Sequence, residues 1–291
     1  MKGTKQPKHA HSIKTVLLCL VLVLVAAIGV AGFWFYMQAT QVTPIQNATT
    51  ETTQKIDARI AEIETKKKEP VYITLPGADR IQAILEDYNN PASLWAMANK
   101  TRPLPIAYEP TNVTVATVPT RIDKTKEERS VRSDAVQPLE KMFAAARAEG
   151  HELMIGSAYR TPALQTLYFN SYVASSGLAA ANQYSAKPGQ SEHQLGLSVD
   201  ISTLSQQCYL AECFTSTPDG EWLAAHAHEY GFHLRYQKGK EAITGYNFEP
   251  WHYRYVGVDL ATALHQSGLT LEEAWPLLEE ALATLKANRA I

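Results

Sequence analysis

The chain has 291 residues, a formal net charge of −2, and 45% hydrophobic against 19% charged residues. That length suits one sizeable domain with accessory segments, and the composition is that of a folded chain, not a disordered one. Near-neutral charge gives no reason to expect nucleic acid as a partner, which would call for a basic face.

Residues 1–14 carry Lys2, Lys5, Lys8 and Lys14 and no acid, and Val16 to Met37 is free of charge. At a rise of about 1.5 Å per residue, that run spans a hydrocarbon core of about 30 Å. Phe33, Trp34, Phe35 and Tyr36 sit at its outer end, where amphipathic rings favour the interface. The pattern predicts a cytoplasmic basic tail over 1–14 and a transmembrane signal anchor over 15–37. The remainder should then be exported, which predicts a single-pass cell-membrane protein with its bulk outside the cytoplasm. The rival reading is a cleaved signal peptide, but the apolar run is longer than the usual h-region.

Residues 38–75 read as a polar stalk ending in a short helix with Ile56, Ile60 and Ile63 on one face. Three apolar positions are too few for a sustained coiled coil. The globular domain is expected over 76–291. RIQAILEDY suggests a helix, RPLPIAYEPTNVTVATVPT an extended wrap, and KTKEER (Lys124 to Arg129) a solvated surface. VRSDAVQPLEKMFAAARAEG is patterned as an amphipathic helix ending at Gly150. ELMIGSAYR reads as a strand into a loop, and TPALQTLYFNSYVASSG as a helix with Thr161 as N-cap and Pro162 at N1.

ANQYSAKPGQ then reads as a polar loop. In LGLSVDIS, Leu197, Val199 and Ile201 alternate with Ser198, Asp200 and Ser202, the pattern of a half-buried strand. DGEWLAAHAHEYGF is a helix, FHLRY and WHYRYVG are strands, and LTLEEAWPLLEEALATL is a helix with Thr270 and Glu273 as a capping box. Helices interleaved with short strands, some of them antiparallel, predict a single α+β domain. Of the cysteines, Cys19 falls in the apolar run. Cys208 and Cys213, in CYLAEC, suit a short disulfide loop in an oxidising compartment, with zinc ligation by the pair as the rival.

Two segments carry candidate chemistry. In SEHQLGLSVDIS, His193 and Asp200 flank Gly196, where a bend lets the two side chains converge. In FEPWHYRYVG, Pro250 keeps Glu249 extended and out of a helix, so that its carboxylate and the His252 imidazole can share a small volume. Two His, one Asp and one Glu suit a catalytic zinc with three protein ligands and an extra carboxylate as base.

SEHQLGLSVDI resembles the S-x-H-x-x-G-x-x-x-D motif, and EPWHYRYVG the E-x-W-H-x-R-Y motif, of VanY-type D-alanyl-D-alanine carboxypeptidases. SAYRTPALQ, Ser157 to Gln165, resembles that family's S-x-Y-R-[ST]-x-x-x-Q segment, and the similarity runs roughly from Asn99 to Trp275. The resemblance implies an α+β zinc-peptidase domain with a central antiparallel sheet flanked by helices. It implies Zn2+ held by His193, Asp200 and His252, with Glu249 as general base for a zinc-bound water. Arg160 would face the scissile carbonyl or the substrate carboxylate, and Gln165 and Ser191 would help hold the terminal residue. The implied activity removes the C-terminal D-alanine from peptidoglycan stem peptides. An L,D-carboxypeptidase, an endopeptidase on the same stems and a non-catalytic cell-wall binding module are the alternatives. Nothing in the sequence sets the oligomeric state.

Overall fold

The computed structural model describes residues 88–289 together with residues 82, 84 and 85, all within one compact unit. The expected basic tail, membrane anchor and stalk lie outside the described residues. Among the described residues no helix is long and apolar enough to cross a membrane.

In chain order the elements are β1 (Val113–Val115), β2 (Ser130–Arg132), α1 (Ser133–Ala148), β3 (Leu153–Ser157), α2 (Pro162–Ser176) and α3 (Leu178–Tyr184). They continue with β4 (Ser198–Thr203), α4 (Pro218–His226), β5 (Phe232–Leu234), α5 (Glu241–Thr244), β6 (His252–Tyr255), α6 (Val258–Ser267) and α7 (Leu271–Arg289). Strands β3, β4, β6 and β5 form, in that order, a four-stranded antiparallel sheet, while β1 and β2 pair separately. The domain is thus mixed α+β, as expected. Leu139, Met142 and Phe143 of α1 pack with Ile155, Val199, Ile201 and Tyr253 of the sheet in one core. A second core joins Val256, Leu260 and Leu264 to Leu271, Trp275 and Leu278 of α7.

Local chemistry explains most boundaries. The Thr161 side chain accepts a hydrogen bond from the Leu164 amide at 3.1 Å and caps α2, with Pro162 at its first position. Thr270 and Glu273 exchange bonds of 3.0 and 3.2 Å as the capping box of α7.

Four expectations are corrected. The helix expected from Val131 begins at Ser133, because Val131 and Arg132 pair with β1 as strand. Ala181–Tyr184, expected in a loop, complete α3, which packs on α2 through an edge-to-face pair of Tyr172 and Tyr184. β4 is buried at all six positions instead of on one face, because its polar side is covered by the charged groups described below. In the supposedly solvated KTKEER run, Glu128 is buried, paired with Lys124 at 2.9 Å and with the Tyr168 hydroxyl.

Gly196 ends the short 3-10 turn Glu192–Leu195 with φ 70° and ψ 15°, the left-handed region, and so turns the chain from His193 into β4. A Cβ there would lie 3.1 Å from Val113 and 3.4 Å from the Arg132 amide nitrogen. Gly196→Ala should cost about 1–2 kcal/mol for the left-handed backbone alone, seen by calorimetry as a Tm lower by roughly 2–8 °C.

Candidate active site

The antiparallel register builds the site. Ser157 of β3 lies opposite Asp200 of β4, which lies opposite His252 of β6, so three polar residues form one row across the sheet. His193, on the 3-10 turn, reaches the same row from the side. His193 Nε2 is 3.3 Å from Asp200 Oδ2, and His252 Nδ1 is 3.2 Å from Asp200 Oδ1. Candidate ligand atoms of His193, Asp200 and His252 all fall within 4.8 Å of one another, and all three residues are buried. The imidazole rings meet edge to face at 4.8 Å.

The donor set fits a zinc ion. His193 Nδ1 donates to the Ala158 carbonyl at 2.6 Å, which leaves the Nε2 lone pair turned to the site. That Nε2 is buried without a hydrogen-bond partner, and unpaired buried polar atoms are costly unless something else satisfies them. Burial and the nearby Arg160 charge bring the His193 pKa down to about 4, so the imidazole is neutral at neutral pH. Burial works against charge on Asp200, yet His193, His252 and Arg160 hold its carboxyl well below the usual range. Burial likewise opposes charge on His252, but Asp200, Glu192 and Glu249 overcome it and raise its pKa to about 9. Positive charge is therefore stabilised here, as a bound cation requires.

Glu249 stands beside this cluster. Its amide donates to the Tyr236 carbonyl at 3.0 Å, and the turn through Pro250 brings Glu249 Oε2 within 3.6 Å of His252 Nδ1. Burial pushes its pKa up to about 7; Asp200 adds to the rise, while His252 and Arg160 oppose it.

Arg160 is fixed on three sides. Nη2 donates to Asp200 at 2.8 Å, Nη1 to Gln165 Oε1 at 3.1 Å, and Nε to Ser157 Oγ at 3.1 Å. Gln165 is fully buried behind it, with its Nε2 donating to the Ala186 carbonyl at 2.7 Å, so its amide is spent on positioning Arg160. A cleft of about 270 Å³ opens over the cluster, lined by Arg160, Ser191, His193, Asp200, Glu249 and His252 and walled by Tyr172, Tyr184, Leu210, Tyr236, Tyr246 and Trp251. Cys208 and Cys213 form a disulfide close by, since Leu210 between them lines the cleft.

Sequence reasoning missed the groups beneath the site. Glu192, fully buried, accepts from Arg235 Nε at 2.9 Å and is paired with Arg254 Nη1 at 3.2 Å, both arginines also fully buried. Its other oxygen lies 3.9 Å from His252 Nε2. Arg235 also donates to Glu272 on α7 at 2.8 and 2.6 Å. The available signal was positional: Glu192 and Arg254 each stand inside a motif, next to or two residues from a proposed ligand.

Residues 128–258 match the family model described as VanY: D-alanyl-D-alanine carboxypeptidase. The chain is 42% identical over 189 residues to the Bacillus subtilis (strain 168) protein called putative carboxypeptidase YodJ, covering 65% of this chain and 69% of that one. The chain belongs to the VanY-type carboxypeptidase family. Among solved structures, the LdcB LD-carboxypeptidase is 42% identical with a TM-score of 0.60, over 63% of this chain and 86% of that one. A D,D-pentapeptidase VanY variant from a VanB-type vancomycin-resistance cassette, in complex with Zn(II), is 33% identical with a TM-score of 0.52, over 62% and 98%. The family match spans SEHQ, WHYRY and the Arg160 segment, the stretches that the fold brings to one cleft.

Because Glu249 binds its proton more tightly in the folded, metal-free protein than at its ordinary value of 4.5, its contribution favours folding below that pH. The contribution is lost as pH rises through about 7. Chelator-treated wild type should therefore lose stability over this window relative to Glu249→Gln, read as the difference between their Tm–pH curves.

Proposed function

We propose that this chain is a zinc-dependent carboxypeptidase that removes the C-terminal D-alanine from peptidoglycan stem peptides. The observation that carries the reading is the convergence of His193, Asp200 and His252 on one buried point with Glu249 beside it. His193, Asp200 and His252 would hold the ion. A bound zinc lowers the pKa of water to about 7 and polarises a carbonyl.

The protein's own groups do the rest. Glu249, ionised, takes the proton of the attacking water and passes it to the nitrogen of the departing alanine. A carboxyl whose proton affinity lies near neutrality suits both transfers. Arg160, held rigid by Asp200, Gln165 and Ser157, offers its guanidinium to the carbonyl oxygen as it gains charge, an effect of about 3 kcal/mol per donor in comparable acyl-transfer sites. Ser191 lies in the cleft wall, where its hydroxyl can bind the terminal residue. The walls of Tyr236, Tyr246 and Trp251 limit water around the reacting bond.

The charge-free run from Val16 to Met37 behind a basic tail supports a membrane-anchored enzyme facing outward, and a disulfide suits that oxidising side. A second reading keeps the centre and changes the bond to that cut by an L,D-carboxypeptidase on tetrapeptides. It is favoured by the higher identity to LdcB, 42%, than to the zinc-bound VanY variant, 33%.

Metal analysis and hydrolysis assays on two variants test the proposal. Glu249→Ala should keep its zinc and lose hydrolysis of a stem pentapeptide by about 10²–10⁴-fold, while His193→Ala should lose both. Hydrolysis at the wild-type rate by Glu249→Ala would contradict the mechanism.

A further inference from the structure

The loop after β4 has no part in the chemistry above, yet it supplies one wall of the cleft. Among the described residues, every non-glycine residue with positive φ lies in this loop: Gln206 at 60°, Cys208 at 55° and Leu210 at 46°. Left-handed backbone at bulky residues persists only where the surroundings impose it. Here the restraints are visible. The disulfide closes Cys208 onto Cys213, Cys208 packs on the main core, and Phe214, next to Cys213, is buried in that core.

Between them, Tyr209 is locked onto the sheet. Its hydroxyl donates to the Gly156 carbonyl at 3.3 Å, and the Arg121 guanidinium lies over its ring at 4.5 Å. Gly156 stands where the β3–β4 register shifts, and a Cβ there would come within 2.9 Å of the Tyr209 ring and 3.4 Å of the Asp200 carbonyl. The glycine thus lets Tyr209 pack directly against β3, the strand paired with the one that carries Asp200. The next residue, Leu210, is half-buried and faces the cleft.

Apart from its acid–base and metal-binding groups and the serines Ser185 and Ser191, the cleft is lined by apolar and aromatic side chains, with Leu210, Trp251 and the Tyr172–Tyr184 pair contributing. Such a wall matches the methylene stem of a side chain, including one whose charged tip stays in solvent. We propose that Leu210, held by the Cys208–Cys213 disulfide and by Tyr209, determines specificity by packing on an aliphatic side chain of the stem peptide upstream of the scissile bond. This rests on the peptidase reading of the same cleft. It adds that substrates carrying those upstream residues are preferred over a bare acylated dipeptide.

The test uses the full-length, zinc-loaded protein and two probes: a stem pentapeptide with lysine in third position, and N-acetyl-D-alanyl-D-alanine. The quantity read is the ratio of their kcat/KM values. Two variants are compared with wild type. Leu210→Asn keeps a residue that tolerates the left-handed region, and Cys208→Ser/Cys213→Ser opens the loop without thiol reductants that would chelate zinc. The ratio should fall roughly tenfold in both, through KM for the pentapeptide, as expected for lost contacts in an apolar pocket, with zinc content unchanged. An unchanged ratio in Leu210→Asn overturns the proposal, and this variant decides the matter if the double-serine protein fails to fold. A wild type that cleaves neither probe removes the D,D-peptidase reading and the proposal with it. A wild type that cleaves both, with equal ratios in all three proteins, removes the proposal alone.

Discussion

Glu192 has no access to solvent, and neither do Arg235 and Arg254, which flank it. Burying such charges costs several kcal/mol per ion, and deleting one partner of a buried set typically costs about 3–5 kcal/mol. The cost is tolerable only where nearly every donor is placed, so these residues fix the backbone around them. Arg254 extends from the sheet to the carbonyls of Leu94 and Ala96, and Arg235 to Glu272 on α7. A turn, two strands, the segment ahead of β1 and the last helix are thereby tied to one carboxylate. His193 follows that carboxylate in the chain and His252 lies over it, so the network fixes both imidazoles.

The same field explains the division of labour above it. His193 is kept neutral by burial and the Arg160 charge, with its bond to Ala158 fixing the tautomer, whereas His252, among three carboxylates, is kept cationic in the absence of metal. A place that holds positive charge beside a neutral imidazole and an ionised Asp200 is suited to a divalent cation. Glu249, where burial outweighs the His252 and Arg160 charges, keeps a proton that it can release near neutral pH. Two neighbouring carboxyls thus take opposite protonation behaviour, the division that a metal ligand and a general base would need.

The convergence of His193, Asp200, His252 and Glu249 was legible in the sequence because each pair lies within one short motif, and cross-strand register brings the motifs together. Gly196 was legible as a bend because left-handed backbone has a residue signature. The buried network was not. Glu192 and Arg235 are 43 positions apart, and a charged residue in a sequence looks like surface unless its partner is known. For the same reason KTKEER read as solvated although Glu128 is buried against Tyr168, forty positions on. The alternation in β4 read as one wet face because serine and aspartate are usually exposed, whereas here their face is the site. The Gln165 amide, expected to bind substrate, is engaged with Arg160 and Ala186, a partnership that spacing does not reveal.

What remains is the bond itself. Muropeptides with stems of defined length, incubated with the protein with and without a chelator and analysed by mass spectrometry, report it directly. Loss of a single terminal alanine from pentapeptide stems, abolished by the chelator and restored by zinc, is the result expected. Release that persists after the metal is stripped, or cleavage that spares the terminal residue of every stem, would contradict a zinc carboxypeptidase built on His193, Asp200 and His252.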